Sequence, residues 1–440
     1  MGKNADVVII IGAGQAGVAC AETLRKENEK IKITMVDYDP DSFYYRASMK
    51  YYIKGAITKQ QLVGRPECYF KKLDIEFIHG TVEMIDRTTK KIQIKHSDGE
   101  IISLDYSYLV LATGSRPFYP SISGVGSEFD SMRGMRSLED SAHIIDCAKT
   151  CSENDNIVVV GGGVLGLELA ASLRDQFKQI RITLIVREPR IGFRFLDSKA
   201  STLLHKKFEE KKISILLNET VQRVEKVSSA QGSNKYKIST ISGTQVDCSF
   251  VFYCTGVQSE SDLAKNSGLE VNQGILVNDY LQTSDPDIYA IGDCAEIKFA
   301  HGKTMVRRLW AIAGMMGQTA ALNINRRTQQ KNKPDAQLSA ILFTPGALHI
   351  YTRLCNLNYH AIGEYEVDLK QDYEILDSID QTGNYLKLVL KSNVLVGAVI
   401  LGESKDPIIL KRLIEKKTNI PSHLKQEILK KGFDYEMLLY

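Results

Sequence analysis

The chain has 440 residues, of which 43% are hydrophobic and 25% are charged. This length suffices for two or three domains, and the composition is that of an ordinary globular protein. A formal net charge of +3 is too small to indicate nucleic-acid binding, and no stretch approaches the ~20 apolar residues that a membrane span needs. The first apolar run begins at Val7, so we expect no leader peptide. We therefore predict a cytoplasmic protein that binds neither nucleic acid nor membrane.

The first predicted elements are a strand, a glycine-rich turn and a helix. The apolar run Val7–Ile11 is followed by Gly12, Gly14 and Gly17, and a helical pattern continues to Lys26. This spacing brings the backbone against a pyrophosphate at the helix N-terminus. A single turn of this kind is weak evidence of a nucleotide site, because glycine-rich loops are common.

The second predicted strand of this unit ends at Asp37, about 20 residues after Gly17. A carboxylate at this place can accept hydrogen bonds from an adenosine ribose. A carboxylate at a strand end is otherwise usually exposed to solvent. Because of the turn before it, we favour the ribose contact for Asp37.

Several shorter predicted elements follow the first unit. In chain order they are a strand over residues 76–82, a strand over 91–94, a hairpin turn at 97–99, and a strand over 108–114 that ends in Ala112, Thr113 and Gly114. Because the last of these strands ends in small residues and is followed by Arg116 and Pro117, it predicts the exit from a first domain.

A second glycine-rich turn follows the apolar run Ile157–Val160. Gly161, Gly163 and Gly166 again occupy the first, third and sixth positions, and a helical pattern follows. Two such turns in one chain imply two dinucleotides. Transfer of a hydride from a nicotinamide to a flavin is the obvious reason to bind both.

The remaining predicted elements point to a return of the first domain and then to a third one. In chain order they are a strand over 250–256 that ends in Thr255 and Gly256, the segment 286–293, a helix over 311–323 headed by Trp310, a polar linker over 326–337, and apolar alternation over 386–390 and 394–401. We expect an α+β domain beyond the linker.

The ordered motifs resemble the pyridine nucleotide-disulphide oxidoreductase superfamily, the flavoproteins with two dinucleotide-binding domains. The resemblance rests on both turns, both Thr-Gly strand ends and Asp293 after Gly292. The segments 45–55, 64–66, 362–364 and 386–402 are most similar to the branch that holds rubredoxin reductases and the flavin module of assimilatory nitrite reductase. Apoptosis-inducing factor is more distant.

The resemblance implies an α/β fold with two Rossmann-like domains, the FAD domain interrupted by the NAD(P) domain, plus a C-terminal α+β domain. We predict an FAD-binding domain over 1–116 and 246–325. We predict an NAD(P)H-binding domain over 117–245 and a C-terminal α+β interface domain over 326–440. In the family this third domain often makes dimer contacts or covers the flavin, so the resemblance leaves both a homodimer and a flavin cover open.

The resemblance also places FAD along the first domain. It assigns FAD contacts to Gly12, Ala13, Gly14, Ala16, Gly17, Asp37, Arg46, Val82, Ala112, Thr113, Gly114, Asp293 and Trp310. Asp37 would take the adenosine ribose, Val82 would lie near the adenine, and Asp293 would bind the ribityl or phosphate side. The alternatives are a helix cap for Asp293, plain core packing for Trp310 and solvent exposure for Arg46.

The second nucleotide site has an arginine where an NADH site has a carboxylate. The resemblance assigns this nucleotide to Gly161, Gly163, Gly166, Arg187, Arg194 and Gly256. Val186 stands at the acceptor position and Arg187 follows, as in NADPH-dependent glutathione reductases. A guanidinium can clamp a 2′-phosphate with two hydrogen bonds. A slip of the alignment that puts Glu188 at that position would favour NADH, and arginines that merely face solvent are the other alternative.

The resemblance places Glu168 near the nicotinamide and the flavin as a catalytic residue. The alternative is a helix charge that interacts with the N-terminal dipole. Related ferredoxin reductases carry a lysine five residues after the arginine, whereas here Lys50 follows Arg46 by four and Tyr51 takes the fifth place. This departure leaves a Lys50–Glu168 pair open.

The eight cysteines do not form a redox or metal motif. They are scattered at positions 20, 68, 147, 151, 248, 254, 294 and 355, without a Cys-x-x-Cys or a zinc spacing. Ala47 stands where relatives carry a redox cysteine, so we expect neither dithiol chemistry nor a bound metal.

We therefore predict an FAD-dependent NAD(P)H oxidoreductase without a redox-active disulphide. It would pass a hydride from NADPH, or from NADH, to FAD and then electrons to a small carrier such as rubredoxin or ferredoxin. The alternatives are an NAD(P)H oxidase, with oxygen as the acceptor, and a non-catalytic flavoprotein that responds to NAD(P)H. The fold alone does not decide among them.

Overall fold

The computed structural model describes residues 5–124, 133–227, 235–299, 302, 304–333, 338–367, 372–403, 406–430 and 432–439. The strands are β1 Val7–Ile11, β2 Lys32–Asp37, β3 Phe43–Tyr44, β4 Val63–Arg65, β5 Ile75–His79, β6 Thr81–Asp86, β7 Lys91–Lys95, β8 Ile101–Asp105, β9 Tyr108–Leu111, β10 Ser115–Pro117, β11 Asn156–Val160, β12 Arg181–Val186, β13 Ile213–Leu217, β14 Val221–Lys226, β15 Tyr236–Thr240, β16 Gln245–Cys248, β17 Phe250–Tyr253, β18 Val257–Ser259, β19 Ile275–Val277, β20 Ile288–Ala290, β21 Ala295–Lys298, β22 Thr304–Met305, β23 His349–Leu354, β24 Leu357–Gly363, β25 Tyr373–Ile379, β26 Tyr385–Lys391 and β27 Val394–Leu401.

The α-helices are α1 Gln15–Glu27, α2 Met49–Ile53, α3 Lys59–Leu62, α4 Glu67–Lys72, α5 Leu138–Lys149, α6 Val164–Gln176, α7 Ser198–Glu210, α8 Asp262–Asn266, α9 Trp310–Asn332 and α10 Pro407–Glu415. In the part of the chain just given, no helix combines the length and the apolar character that crossing a bilayer requires.

The chain divides into two compact units. The first unit comprises residues Met1–Tyr52, Ile57–Pro117 and Val257–Pro345. The second unit comprises Ile53–Ala56, Phe118–Gly256 and Gly346–Tyr440. The chain thus leaves the first unit and later returns to it. The assignment of individual ranges to FAD, NAD(P)H and interface domains stays a prediction.

The core of the first unit is a parallel sheet with the strand order β20-β9-β1-β2-β5. Its central strands are buried along nearly their whole length, which is typical of a parallel sheet covered on both faces. Helices α1 and α9 pack against each other beside it. Because all these strands run the same way, their carboxyl ends form one edge, where ligands bind in open α/β sheets.

The predicted strand over residues 76–82 is in fact two strands. β5 stays in the parallel sheet, whereas β6 pairs with β7 in a separate antiparallel sheet of β6, β7 and β8. The break falls at Gly80, where a Cβ atom would lie 2.7 Å from a methyl group of Ile94. The hairpin turn predicted at 97–99 is confirmed between β7 and β8.

The predicted linker over residues 326–337 is wrong in its first part, because α9 continues to Asn332. Arg326 donates to the backbone oxygen of Ser339, and Arg327 donates to a carboxylate oxygen of Asp287 at 2.8 Å. A polar, basic composition is typical of a loop, but these arginines bind back onto their own unit. Residues 334–337 of the predicted linker lie outside the described residues.

The second unit contains two sheets that bear on the candidate site. A parallel sheet has the order β13-β12-β11-β17, and α6 and α7 pack against it. A second sheet, the C-terminal sheet, is antiparallel and has the order β23-β24-β27-β26-β25. Helix α10 packs against β24 and β27 of this sheet. The fold class is therefore confirmed: two Rossmann-like sheets and a C-terminal α+β part.

Candidate functional site

The first glycine-rich turn joins β1 to α1 and requires two of its glycines. Gly12 has φ +107°, and a Cβ atom there would lie 2.2 Å from the oxygen of Ala112. A Cβ atom at Gly17 would lie 2.0 Å from the oxygen of Gly12. At Gly14, by contrast, a Cβ atom would meet no atom within 4 Å. The turn is packed tightly on the protein side and open above Gly14.

The second turn, between β11 and α6, has the same geometry. Gly161 has φ +119°, and its Cβ atom would lie 2.3 Å from the oxygen of Cys254. A Cβ atom at Gly166 would lie 1.9 Å from the oxygen of Gly161, whereas one at Gly163 would meet nothing within 4 Å. Each turn therefore leaves open space beside its middle glycine, Gly14 in the first turn and Gly163 in the second.

The open spaces lie at helix N-termini that no side chain caps. Gly14 is the N-cap residue of α1 and Gly163 is that of α6, and neither helix has an acidic residue in its first turn. The first N–H groups of a helix and its dipole attract anions. The residues of both turns thus fit the pyrophosphate of a dinucleotide.

Asp37 lies at the carboxyl end of β2 and is 8% exposed. Its carboxylate accepts hydrogen bonds from the backbone N–H groups of Ala13, at 2.5 Å, and Asp39, at 2.9 Å. Burial raises the pKa of this carboxyl group. The solvent-exposed alternative is therefore wrong, and Asp37 lies directly beside the first turn.

Arg46 is held by a small polar network. Its guanidinium donates to the hydroxyl of Tyr44 and lies 3.8 Å from a carboxylate oxygen of Asp39, to which Tyr44 also donates at 2.8 Å. The Arg46 side chain is 22% exposed. The alternative of a solvated loop arginine is wrong, since Arg46 is a fixed, partly buried cation near Asp37.

Asp293 lies in a short 3-10 helix, Gly292–Cys294, that follows β20. Its carboxylate accepts a hydrogen bond from the hydroxyl of Ser115 at 2.9 Å, and its backbone oxygen accepts one from Ser259 at 2.8 Å. The short helix has Ile291 at its N-cap and no side-chain capping bond. The alternative role of Asp293 as a helix cap is therefore wrong.

The other residues assigned to FAD lie in the same unit. Thr113 donates to the backbone oxygen of Glu260 at 2.6 Å, and Gly114 accepts from the N–H of Glu260 at 2.9 Å, so this strand end is fixed. Ala112 and Val82 are buried, at 7% and 8% exposure. Ala16 is also buried, within the first turn of α1.

Trp310 is the first residue of α9 and is only partly buried. Its ring centroid lies 5.9 Å from that of Phe43 and 6.0 Å from that of Tyr45. Trp310 also packs against the buried core of the first unit, so its flavin contact stays a prediction. No sequence pattern indicates this aromatic cluster, because Trp310 is more than 260 residues away from the other two rings.

The hydrogen bonds of the two turns establish which residues correspond. The N–H of Gly12 donates to the oxygen of Val36, and that of Gly161 donates to the oxygen of Ile185, both at 2.8 Å. Val186 therefore occupies the position of Asp37. This correspondence supports the predicted alignment over a slip that would put Glu188 at this position and favour NADH.

Arg187 and Arg194 are both exposed on the loop after β12. The Arg187 side chain is 65% exposed, and it donates to the carboxylate of Glu188 at 2.8 Å. Gly256, with φ +115°, follows β17 and accepts a hydrogen bond from the N–H of Phe118. The loop arginines and this strand end thus belong to the second unit.

Glu168 lies in the second turn of α6 and is 8% exposed. One of its carboxylate oxygens accepts a hydrogen bond from the hydroxyl of Thr352, on β23, at 2.6 Å. Sequence reasoning missed Thr352, which lies 184 residues away and belongs to no motif. Lys50, on α2, is also 8% exposed and belongs to the first unit. The Lys50–Glu168 pair stays a prediction.

The cysteines are free, and several are buried. Burial raises the pKa of Cys248 and Cys254 to about 12, which disfavours their thiolates. Among the residues that the structure describes, no group of three or more histidine, cysteine or acidic side chains could hold a metal ion.

Two known families match this chain. Residues 6–317 match pyridine nucleotide-disulphide oxidoreductase, and residues 353–418 match the rubredoxin NAD+ reductase C-terminal domain. The ferredoxin reductase structure from Rhodopseudomonas palustris has a TM-score of 0.83 at 22% identity and covers 98% of this chain and 99% of its own. That similarity concerns the fold.

Three curated relatives are similar in sequence. The NADH oxidase of Methanocaldococcus jannaschii is 32% identical over 72% of this chain and 69% of its own length. The rubredoxin-NAD(+) reductase of Acinetobacter baylyi is 32% identical over 66% of this chain and 72% of its own. The nitrite reductase of Bacillus subtilis is 27% identical over 98% of this chain, which spans about half (49%) of that relative.

Proposed function

Because the chain belongs to the pyridine nucleotide-disulphide oxidoreductase family and is an FAD-dependent NAD(P)H oxidoreductase, we propose that it takes hydride from NADPH and passes electrons to a small carrier protein. The observation that carries this proposal is the pair of matching turns, each open at an uncapped helix N-terminus. FAD, when bound, supplies an acceptor for a hydride that can return the electrons singly.

The first unit provides the groups that would hold FAD. The turn from Gly12 to Gly17 would take the pyrophosphate on backbone N–H groups, and Asp37 would take the ribose hydroxyls. The partly buried Arg46 would add a positive charge near the phosphates. Asp293, fixed by Ser115, would accept a hydrogen bond from the ribityl side.

The second unit provides the groups that would select NADPH. The turn from Gly161 to Gly166 would take the pyrophosphate. Val186 offers no carboxylate to the ribose, and Arg187 and Arg194 would bind the 2′-phosphate. Glu168, held by Thr352, would fix the nicotinamide end, where orientation and exclusion of water matter more than an acid or base.

The acceptor is proposed from chemistry and from sequence similarity. Ala47 stands where a redox cysteine would, so electrons would not pass to a dithiol next to the flavin. Relatives of this chain include a rubredoxin-NAD(+) reductase, and the C-terminal match is to that family. We therefore propose rubredoxin or ferredoxin as the acceptor.

A second candidate, an NAD(P)H oxidase, is favoured by the relative from Methanocaldococcus jannaschii. Oxygen uptake by the FAD-loaded protein with NADPH separates the two. We expect slow uptake, and rapid reduction of an added rubredoxin or ferredoxin. Fast, saturable uptake that the carrier does not change would instead assign the oxidase function.

Two further proposals accompany this function. The domain ranges 1–116 with 246–325, 117–245 and 326–440 are proposed as the FAD, NAD(P)H and interface domains. A homodimer and a cytoplasmic location are proposed on the sequence alone. Sedimentation of the FAD-loaded protein tests the dimer, and cell fractionation tests the location.

A further inference from the structure

The loop after β12, residues 187–197, carries Arg187 and Arg194, and the C-terminal sheet of the same unit holds it. We propose that Lys387 and Tyr385 are positioning residues for NADPH, because they fix Asp197 and thereby hold loop 187–197 in the shape that receives the 2′-phosphate. This inference rests on the proposed nucleotide site and adds to it a role for the C-terminal sheet.

The loop is joined to the glycine-rich turn at its middle. The N–H of Gly192 donates to the oxygen of Gly162 at 2.8 Å. Gly192 has φ +63°, and a Cβ atom there would lie 2.3 Å from a methyl carbon of Leu196. The middle of the loop is therefore closely packed and joined to the turn.

Asp197 ends the loop and begins α7. One carboxylate oxygen accepts a hydrogen bond from the N–H of Ala200 at 2.8 Å and caps the helix. The other accepts a hydrogen bond from the hydroxyl of Tyr385 at 2.9 Å and lies 3.4 Å from Nζ of Lys387. Both carboxylate oxygens of Asp197 are thus occupied, one by its own helix and one by the C-terminal sheet.

Lys387 is only 7% exposed, which is rare for a lysine unless its charge is paired. Its Nζ also donates to the oxygen of Tyr365 at 2.9 Å. Tyr385 and Lys387 are two residues apart on β26, so they face the same side of the sheet. A buried ion pair contributes little net stability, but loss of one partner leaves a buried, unpaired charge. The ion pair of Lys387 with Asp197 therefore fixes the position of Asp197 more than it stabilises the fold.

Two more contacts fix the loop backbone just before Asp197. The hydroxyl of Tyr359, on β24, donates to the oxygen of Phe195 at 2.5 Å, in buried surroundings. Arg190 donates to the oxygen of Leu196 at 2.6 Å, and its guanidinium lies 3.6 Å from Glu366. The loop is thus anchored at 195–197, while the two arginines proposed to bind phosphate stay exposed.

The test measures equilibrium dissociation constants of NADPH and NADH for FAD-loaded Lys387→Met, by calorimetry. We expect the constant for NADPH to rise about tenfold, as when the support of a binding group is removed. The constant for NADH, which lacks the 2′-phosphate, should change less than about twofold. Lys387→Arg, which keeps the charge, should retain the preference for NADPH.

Lys391→Met is the matched control, since Lys391 is an exposed lysine on the same strand. It should leave both constants unchanged. Tyr385→Phe removes only the hydroxyl and replaces Lys387→Met in the test if that variant does not fold. It should also raise the dissociation constant of NADPH more than that of NADH. Equal weakening of both nucleotides, or no change in either, would overturn the inference. A wild-type protein that prefers NADPH upholds the nucleotide site whatever the variants show, whereas one that does not would overturn both proposals.

Discussion

Thr352 donates its hydroxyl to Glu168 at 2.6 Å, and this bond joins the C-terminal sheet to the helix of the second glycine-rich turn. Both side chains are nearly inaccessible, at 1% and 8% exposure. A buried carboxylate needs such a donor, because its oxygens have lost contact with water. The C-terminal sheet therefore takes part in building the proposed nicotinamide site.

We predict that Thr352→Val lowers both stability and the rate of flavin reduction by NADPH. The valine has nearly the same shape but removes the donor, and a lost hydrogen bond to a charged group costs about 1.5–3 kcal/mol. Denaturant unfolding measures the first effect and anaerobic stopped-flow absorbance the second. Thr352→Ser, which keeps the hydroxyl, is the control. Unchanged flavin reduction in Thr352→Val would remove Glu168 from the proposed site.

Alanine at Gly163 should weaken nucleotide binding, whereas alanine at Gly166 should destabilise the fold. At Gly163 the added methyl group meets no protein atom, but it fills the space proposed for the pyrophosphate. We expect normal folding and FAD content, with NADPH affinity lower by about tenfold or more. At Gly166 the methyl would lie 1.9 Å from a backbone oxygen, so the fold itself should be destabilised. Thermal unfolding and NADPH titration distinguish the two, and full NADPH affinity in Gly163→Ala would contradict the assignment.

Arg187→Glu should reverse the nucleotide preference. A carboxylate there repels the 2′-phosphate but can accept hydrogen bonds from ribose hydroxyls. We expect the ratio of NADPH to NADH affinity to fall about tenfold or more. Glu188→Gln is the comparison, read on NADH alone because the substitution also releases Arg187 from its hydrogen bond. The alignment of Val186 with Asp37 predicts that Glu188→Gln leaves NADH affinity unchanged. Loss of NADH affinity in Glu188→Gln would instead place Glu188 at the acceptor position.

We predict that two histidines make the C-terminal sheet sensitive to acid. The rings of His349 and His360 are 3.0 Å apart at their nearest nitrogens, with Tyr351 against His360. Burial and His349 lower the pKa of His360 to about 4, and burial and Lys411 lower that of His349. Because these pKa values are depressed in the folded state, the stability they contribute is present above pH 6.5 and is lost as the pH falls toward 4.

His360→Gln should flatten this dependence. We expect its melting temperature to fall less than that of the wild type between pH 7 and 4.5. His423→Gln, which removes an exposed histidine of the same unit, should leave the dependence unchanged. Parallel pH profiles for the wild type and His360→Gln would show that the histidine pair is not its source.

The sequence was sufficient for the dinucleotide units because their requirements are local. Gly12 and Gly17 are needed where an added Cβ atom would lie 2.0–2.2 Å from a backbone oxygen, and the spacing of these glycines is visible in one segment. The end of α9 could not be predicted from the sequence, because Arg326 and Arg327 bind partners that are 13 and 40 residues away. Polar composition alone cannot distinguish such a helix from a loop.

The residues that hold the site side chains in place could not be predicted from the sequence either. Ser115 with Asp293, Thr352 with Glu168, and Tyr385 with Asp197 are each brought together across 178 to 188 residues. Serine, threonine and tyrosine occur throughout the chain, so nothing marks these three before the fold is known. The residues that would touch the nucleotides follow motifs, but those that hold them in place do not.

The most direct test of the account is an anaerobic titration of the FAD-loaded protein with NADPH, followed by flavin absorbance. A lone flavin without a dithiol takes two electrons, so bleaching should be complete at about one NADPH per FAD. NADH should bleach the flavin only at higher concentration. Absence of bleaching by either nucleotide, or consumption of about two NADPH per FAD, would contradict the account.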